Sequence, residues 1–173
     1  MINFLLIYLN FLTKCSISLI TLSLSFFLFL FIFISSFFFD KNYSSYQFIY
    51  LKFFSSGSYI NYSIGFGVDG LSLIFLLLTT FLFFLVFLTA WKQNIVYVKE
   101  YTYSLLSLEC FLLLVFSSLD LLTFFFLFET VLIPMFLIIG LWGTVNRKIY
   151  ASLLFFLFTL AGSLCLFFVI LIL

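Results

Sequence analysis

One carboxylate, Glu129, stands inside an apolar run, Leu121 to Leu141, that is long enough to cross a bilayer. Counted from Leu121 it lies roughly 12 Å along a helix rising ~1.5 Å per residue, near the midplane of a ~30 Å hydrocarbon core. A carboxylate at that depth costs on the order of 2.5–3.5 kcal/mol on insertion scales, so an acid kept there is by default a functional group. Pro134 follows five positions later. It has no N–H for the carbonyl of Thr130, which predicts a kink within about a turn and a half of the acid. An ionisable group beside a free carbonyl in a bent helix is one way to handle protons in lipid.

A second acid, Glu109, lies about seven residues into another apolar run, and Glu129 is read as the deeper of the two. Two readings of Glu109 stay open: a structural acid hydrogen-bonded to a neighbouring helix, or part of a proton path. Every Lys and Arg falls in a loop or at the end of a run. A carboxyl group buried without a cation is favoured in its neutral form, and a lysine brought beside it favours the ionised form. A group whose charge follows the position of its partner can load and release protons. The pattern therefore asks for a cationic partner from outside these 173 residues.

Composition fixes the solvent. Hydrophobic residues make up 66% of the chain and charged residues 8%, with mean hydropathy +1.41. A soluble domain is about half apolar and a quarter charged, so the chain is an integral membrane protein with membrane lipids as its surroundings. Net charge is +1 without a charge run, which gives no footing to nucleic acid or an acidic partner. Histidine is absent, and Cys15, Cys110 and Cys165 stand apart, so no metal or redox site is expected. The cysteines read as small apolar packing residues. The excess of Phe, with single Arg and Pro residues, fits codons of an AT-rich genome such as an organelle's.

The elements follow from the apolar runs. Residues 1–15 form a short apolar segment ended by Lys14, too short for a comfortable span and without the cleavage site of a signal peptide. It reads as a reduced first helix or a surface helix. Residues 16–173 form the transmembrane domain, an all-α bundle of five to six helices with spans at about 16–39, 71–90, 103–116, 121–141 and 149–173. Residues 42–70 read as a polar interfacial loop rich in Tyr, with breakers at Ser55-Ser56-Gly57-Ser58 and Gly65-Phe66-Gly67. Asp69 and Asp120 are expected as N-caps. The patch Ala161-Gly162-Ser163 reads as a close helix-packing surface, and the Phe runs as lipid- or helix-facing bulk. Lys14, Lys92, Lys99, Arg147 and Lys148 fall on one side and Lys41 and Lys52 on the other, which places the Lys92 and Arg147 loops inside.

Asp69-Gly70-Leu71-Ser72, Ser118-Leu119-Asp120, Phe128-Glu129 followed by Leu132-Ile133-Pro134-Met135, Gly140-Leu141-Trp142-Gly143 and Arg147-Lys148 occur in an order and spacing that resemble one family. It is the N-terminal part of NADH dehydrogenase subunit 4, an antiporter-like, proton-translocating membrane subunit of respiratory complex I. Phe155 to Ser163 fits the helix that follows, so the resemblance covers about residues 65–173. Sister subunits 2 and 5 and cation/proton antiporter subunits share the buried Glu, with a different run expected after it. The resemblance implies a fold of two inverted five-helix repeats. It implies that Glu129 faces a lysine on a later helix and that the two form the modulating pair of a half-channel. It also implies a mitochondrial inner-membrane location and other complex I membrane subunits as partners. The chain departs from the family in three ways: it stops after the sixth helix of the pattern, its first helix is shortened, and Glu109 matches no core position. A stop at the end of a complete helix leads to the expectation of a second chain carrying the rest. NADH, flavin, iron–sulfur cluster and quinone have no expected site, so no cofactor is assigned. Two other functions stay open: a structural or assembly fragment without proton transfer, and a subunit of a multi-subunit cation/proton antiporter.

Overall fold

The computed structural model describes residues 2–40, 45–56, 60–92 and 97–172. Five helices appear among them: α1 (Ile2–Phe37), α2 (Gly70–Lys92), α3 (Val98–Ser117), α4 (Leu121–Trp142) and α5 (Lys148–Ile172). Each contains a segment long and apolar enough to cross a membrane, and the chain is a multi-pass, helical membrane protein. Successive helices pack as neighbours, and α3 also touches α1.

Aromatic rings knit the helices together. Phe26 of α1 meets Phe84 of α2 with ring centres 5.3 Å apart, and Phe29 meets Phe81 at 5.8 Å. Phe75 stacks on Phe116 of α3 at 5.2 Å. Phe125 of α4 stacks on Phe167 of α5 at 5.1 Å. The reading of the Phe runs as lipid- and helix-facing bulk divides within a single triplet: Phe125 is buried, while Phe126 is 54% exposed.

The helix interfaces are otherwise lined by small hydroxyl residues. Thr21, Ser25, Thr80, Thr102, Ser104, Ser152 and Ser163 are all buried. Small residues let helices approach closely where the bilayer supplies no hydrophobic drive between them. Their hydroxyls mostly bond back to their own helix: Thr80 to the Leu76 carbonyl, Ser152 to Ile149 and Ser163 to Leu160. On Gly140 a Cβ would lie 3.2 Å from Ser152 Oγ, so α4 and α5 cross closely there.

Four expectations change. The segment 1–15 is not separate, because α1 runs unbroken from Ile2 to Phe37. Lys14 ends the apolar run but is a good helix former, and neither Gly nor Pro interrupts the stretch. Helix α3 begins at Val98 rather than near 103, since Lys99 and Glu100 also favour helix. The patch at Ala161-Gly162-Ser163 packs only in part: Ser163 is buried, but Ala161 and Gly162 are exposed and nothing among the described residues lies within 4 Å of a Cβ on Gly162.

The fourth change is a β-hairpin in the stretch read as a loop. Strand β1 (Gln47–Ser56) pairs antiparallel with β2 (Ile60–Val68), with Tyr50 opposite Phe66 and Leu51 opposite Gly65. Phe, Ile and Tyr favour the pleated conformation, and the density of Tyr and Ser masked that pattern. The turn expected at Ser55–Ser58 falls partly on residues 57–59, which lie outside the described residues. Gly65 and Gly67, read as breakers, sit inside β2 because the α3–α4 turn lies against them. Leu119 N–H donates to the Gly65 carbonyl at 2.9 Å, Gly65 N–H donates to Asp120 Oδ2 at 2.8 Å, and the Leu119 side chain lies 3.1 Å from where a Gly67 Cβ would be.

Asp120 is thus at the N-cap of α4 by position but makes no side-chain cap bond; its carboxylate serves the hairpin. Asp69 does cap α2. Its Oδ1 accepts from Gly70 N–H at 2.7 Å, and its own N–H donates to Ser72 Oγ at 2.6 Å, the reciprocal logic of a capping box. At the far end of the bundle, Lys148 Nζ donates to the Leu141 carbonyl at 2.6 Å, a cation on the negative end of α4.

The clasp makes a testable unit. Asp120→Ala removes a charged acceptor worth about 1.5–3 kcal/mol. Hydrogen–deuterium exchange at Gly65 should accelerate roughly ten- to a hundredfold, while α5 stays unchanged.

Candidate functional site

Helices α3 and α4 run antiparallel through a connection of three residues, Ser118, Leu119 and Asp120. Glu109 lies eight residues before the end of α3, and Glu129 eight residues after the start of α4. At ~1.5 Å per residue both sit roughly 12 Å from the hairpin end of the bundle. Glu129 is therefore not the deeper acid. The earlier start of α3 makes Glu109 the twelfth residue of a 20-residue helix.

Their surroundings differ. Glu109 has no exposed surface. Its Oε1 accepts a hydrogen bond from Ser25 Oγ of α1 at 3.3 Å. Its Oε2 has no partner among the described residues.

Glu129 is half-buried. Residues three and four positions away flank it on the helix surface. Phe125 and Leu132 are each 4% exposed, whereas Phe126 and Ile133 are 54% and 55% exposed. Glu129 stands on the border between the interior of the chain and an open face of α4. Lys99 stands in the first turn of α3 and Arg147 and Lys148 at the start of α5, whereas Lys14 lies within α1 and Lys52 within β1.

Pro134 is buried within α4, which continues through it. It lines a groove of about 480 Å3 between α3 and α4 together with Glu100, Ser104, Ser107 and Thr130. Thr130, whose carbonyl the proline leaves free, turns its hydroxyl to the Phe126 and Leu127 carbonyls at 2.9 and 2.8 Å. The groove follows the faces of α3 and α4 from Glu100 near one end of the bundle to Thr130 beside Glu129.

The sequence reading brought out Glu129, Glu109 and Pro134 but not Ser25. The sequence holds several serines in α1, and it is burial that picks out Thr21 and Ser25, one helical turn apart, as its inward face. Among the described residues no three His, Cys, Asp or Glu side chains gather as a metal-binding group.

Residues 118–173, all of α4 with Glu129 and Pro134 and all of α5, match the family described as NADH:quinone oxidoreductase/Mrp antiporter, TM. The matched stretch is part of the helical membrane fold described above. The similar proteins are named as subunits of NADH oxidoreductases. NADH-ubiquinone oxidoreductase chain 4 of Prototheca wickerhamii is 53% identical over 109 residues, 63% of this chain and 21% of that protein. Its counterpart in Marchantia polymorpha is 47% identical over 126 residues, 73% of this chain and 25% of that protein. NADH-quinone oxidoreductase subunit M of Rhodobacter capsulatus is 52% identical over 97 residues, 56% of this chain and 19% of that protein. The resemblance to subunit 4 read from the motifs is borne out. The chain spans about a fifth to a quarter of the length of these curated relatives.

The two acids should differ in chemical access. With the chain reconstituted in lipid vesicles, a lipid-soluble carbodiimide should modify Glu129 and spare Glu109, read by peptide mass spectrometry. Equal modification of both would contradict the burial of Glu109.

Proposed function

We propose that this chain is a membrane-arm component of respiratory complex I and that Glu129 carries protons moved by NADH:ubiquinone oxidoreduction. The observation that carries the reading is the position of Glu129. It lies in the segment matched to the antiporter-type family, at mid-span on the helix that carries Pro134, on the edge of an open face. A carboxyl group placed there is ready to meet a charged group from outside the chain.

That group, in this reading, is a lysine on a helix of the remaining part of the subunit. The length of the relatives supports such a part. We assign it to a second membrane chain that docks beside α4. A lysine that approaches and withdraws from such a carboxyl group gives the pair two charge states between which a proton can pass. Coupling of this kind stores work, since each proton moved against 100 mV represents ~2.3 kcal/mol. In this reading NADH, flavin, iron–sulfur clusters and quinone are bound by other subunits of the complex, and this chain's contribution is proton and charge transfer. Its partners are the other membrane subunits of the complex and the lipids around them. The NADH-ubiquinone oxidoreductase names of the relatives and the AT-type composition support a mitochondrial inner-membrane location.

The same names favour complex I over a free-standing cation/proton antiporter. A purely structural fragment makes the opposite demand on Glu129, because it has no use for an acid at mid-span.

Gentle extraction and native separation, followed by mass spectrometry, test the assembly. The chain should migrate in a very large complex with NADH dehydrogenase activity, beside a chain bearing lysines within its spans. In that complex Glu129→Gln should lower proton pumping by roughly tenfold or more while assembly is retained. Unchanged pumping would mean a structural role, and migration alone or in a small sodium-responsive assembly would remove the complex I reading.

A further inference from the structure

We propose that Ser25 and Glu109 form a second proton-holding site, set between α1 and α3 at the depth of Glu129 and completed by a water molecule on Glu109 Oε2. The site stands on its own geometry and does not require Glu129 to act in proton transfer.

Three observations lead to it. Glu109 is fully covered, so no group of a neighbouring chain can reach it. Its Oε2 lacks a hydrogen-bond partner among the described residues, a loss of about 1–3 kcal/mol for a buried polar atom and more for a charged one. And Ser25 departs from the habit of the other buried hydroxyls. Thr80, Ser104, Ser152 and Ser163 bond to carbonyls of their own helices, whereas the hydroxyl of Ser25 crosses to another helix and meets Glu109. A serine and a carboxyl group aimed at each other across an apolar interface are not needed for packing.

The charges around the site decide its state. Residues 17–37 of α1 carry no charged side chain. On α2 the charges are at the two ends, Asp69 before its first turn and Lys92 as its last residue. On α3, Lys99 and Glu100 stand about two and a half turns away, and the adjacent Cys110 is exposed. On α4 the charge at this depth is Glu129, another acid. Lys14 of α1 stands about three turns before Ser25; among the described residues no cation is placed to hold a carboxylate, and a fully buried, unpaired charge is strongly disfavoured. Glu109 therefore carries its proton at rest. With Oε1 occupied by Ser25, the proton is on Oε2, a donor that needs an acceptor. A water molecule is small enough to serve, and buried waters commonly satisfy such groups. Through it the proton can leave Oε2 and return. A structural acid would instead be sealed, with its proton out of exchange.

Infrared difference spectroscopy on the assembled membrane complex in H2O and D2O tests this. The expected result is a protonated-carboxyl band that is lost in Glu109→Gln, shifted in Ser25→Ala, and displaced when the wild-type complex is moved to D2O. A carboxyl region unchanged by Glu109→Gln would overturn the proposal, because the group would then be ionised. A band that is present but does not respond to D2O would overturn it too, as a sealed structural acid. If Glu109→Gln does not accumulate, Ser25→Ala decides, since it keeps the carboxyl and removes only its partner: an unmoved band rejects the site. Glu129→Gln in the same preparation separates the two readings. Unchanged pumping with an intact Glu109 band removes the role of Glu129 alone; a missing exchangeable band with pumping still dependent on Glu129 removes this site alone.

Discussion

A polar group within a bilayer has no water to fall back on, and that scarcity organises the chain. Serine and threonine meet it locally: each hydroxyl can donate its hydrogen bond to a carbonyl one turn back on the same helix. Such residues can then fill helix interfaces, as Thr80, Ser152 and Ser163 do, while Phe and Leu turn outward to the lipid. A carboxyl group has no such local remedy. Ionised or protonated, it keeps at least one oxygen that only accepts, and the helix backbone around it has no spare N–H to give. A mid-span glutamate must therefore take its partner from another element, and so it becomes a point where helices are tied together or chains are matched.

The two acids use that necessity differently. Glu109 is tied inward, to α1 through Ser25, and belongs to the interior of this chain. Glu129 is at the edge, with buried neighbours on one side and exposed ones on the other. Similar groups at equal depth but in unlike settings can take separate roles. One is fixed by its own chain, and the other borders an open face of α4. The groove along α3 and α4 ends beside the second of these, where the proline frees a backbone carbonyl.

Much of this was legible from the residues. Runs of Phe, Leu and Ile longer than a bilayer is thick leave little choice of fold, and a lone Glu with Pro five positions on is visible without coordinates. What could not be read depended on partners distant in sequence. Ser25 is one of many serines in its helix, and only packing distinguishes it. Asp120 has the chemistry and position of a cap, but Gly65 competes for its carboxylate. The hairpin was hidden because tyrosines and serines suit both an interfacial loop and a strand. Lys14 misled for the opposite reason, since a charge can end an apolar run without ending a helix.

The bond between strand β2 and the α3–α4 turn also sets an order of events during synthesis. Gly65 precedes α2 and Asp120 follows α3, so two membrane crossings separate the partners. While α2 and α3 are still entering the bilayer, the hairpin has nothing to hold. Once both have crossed, the turn arrives on the same side and the contact closes. The contact can thus serve as a latch on completed insertion, formed only by a chain whose second and third helices have threaded the membrane in the correct sense.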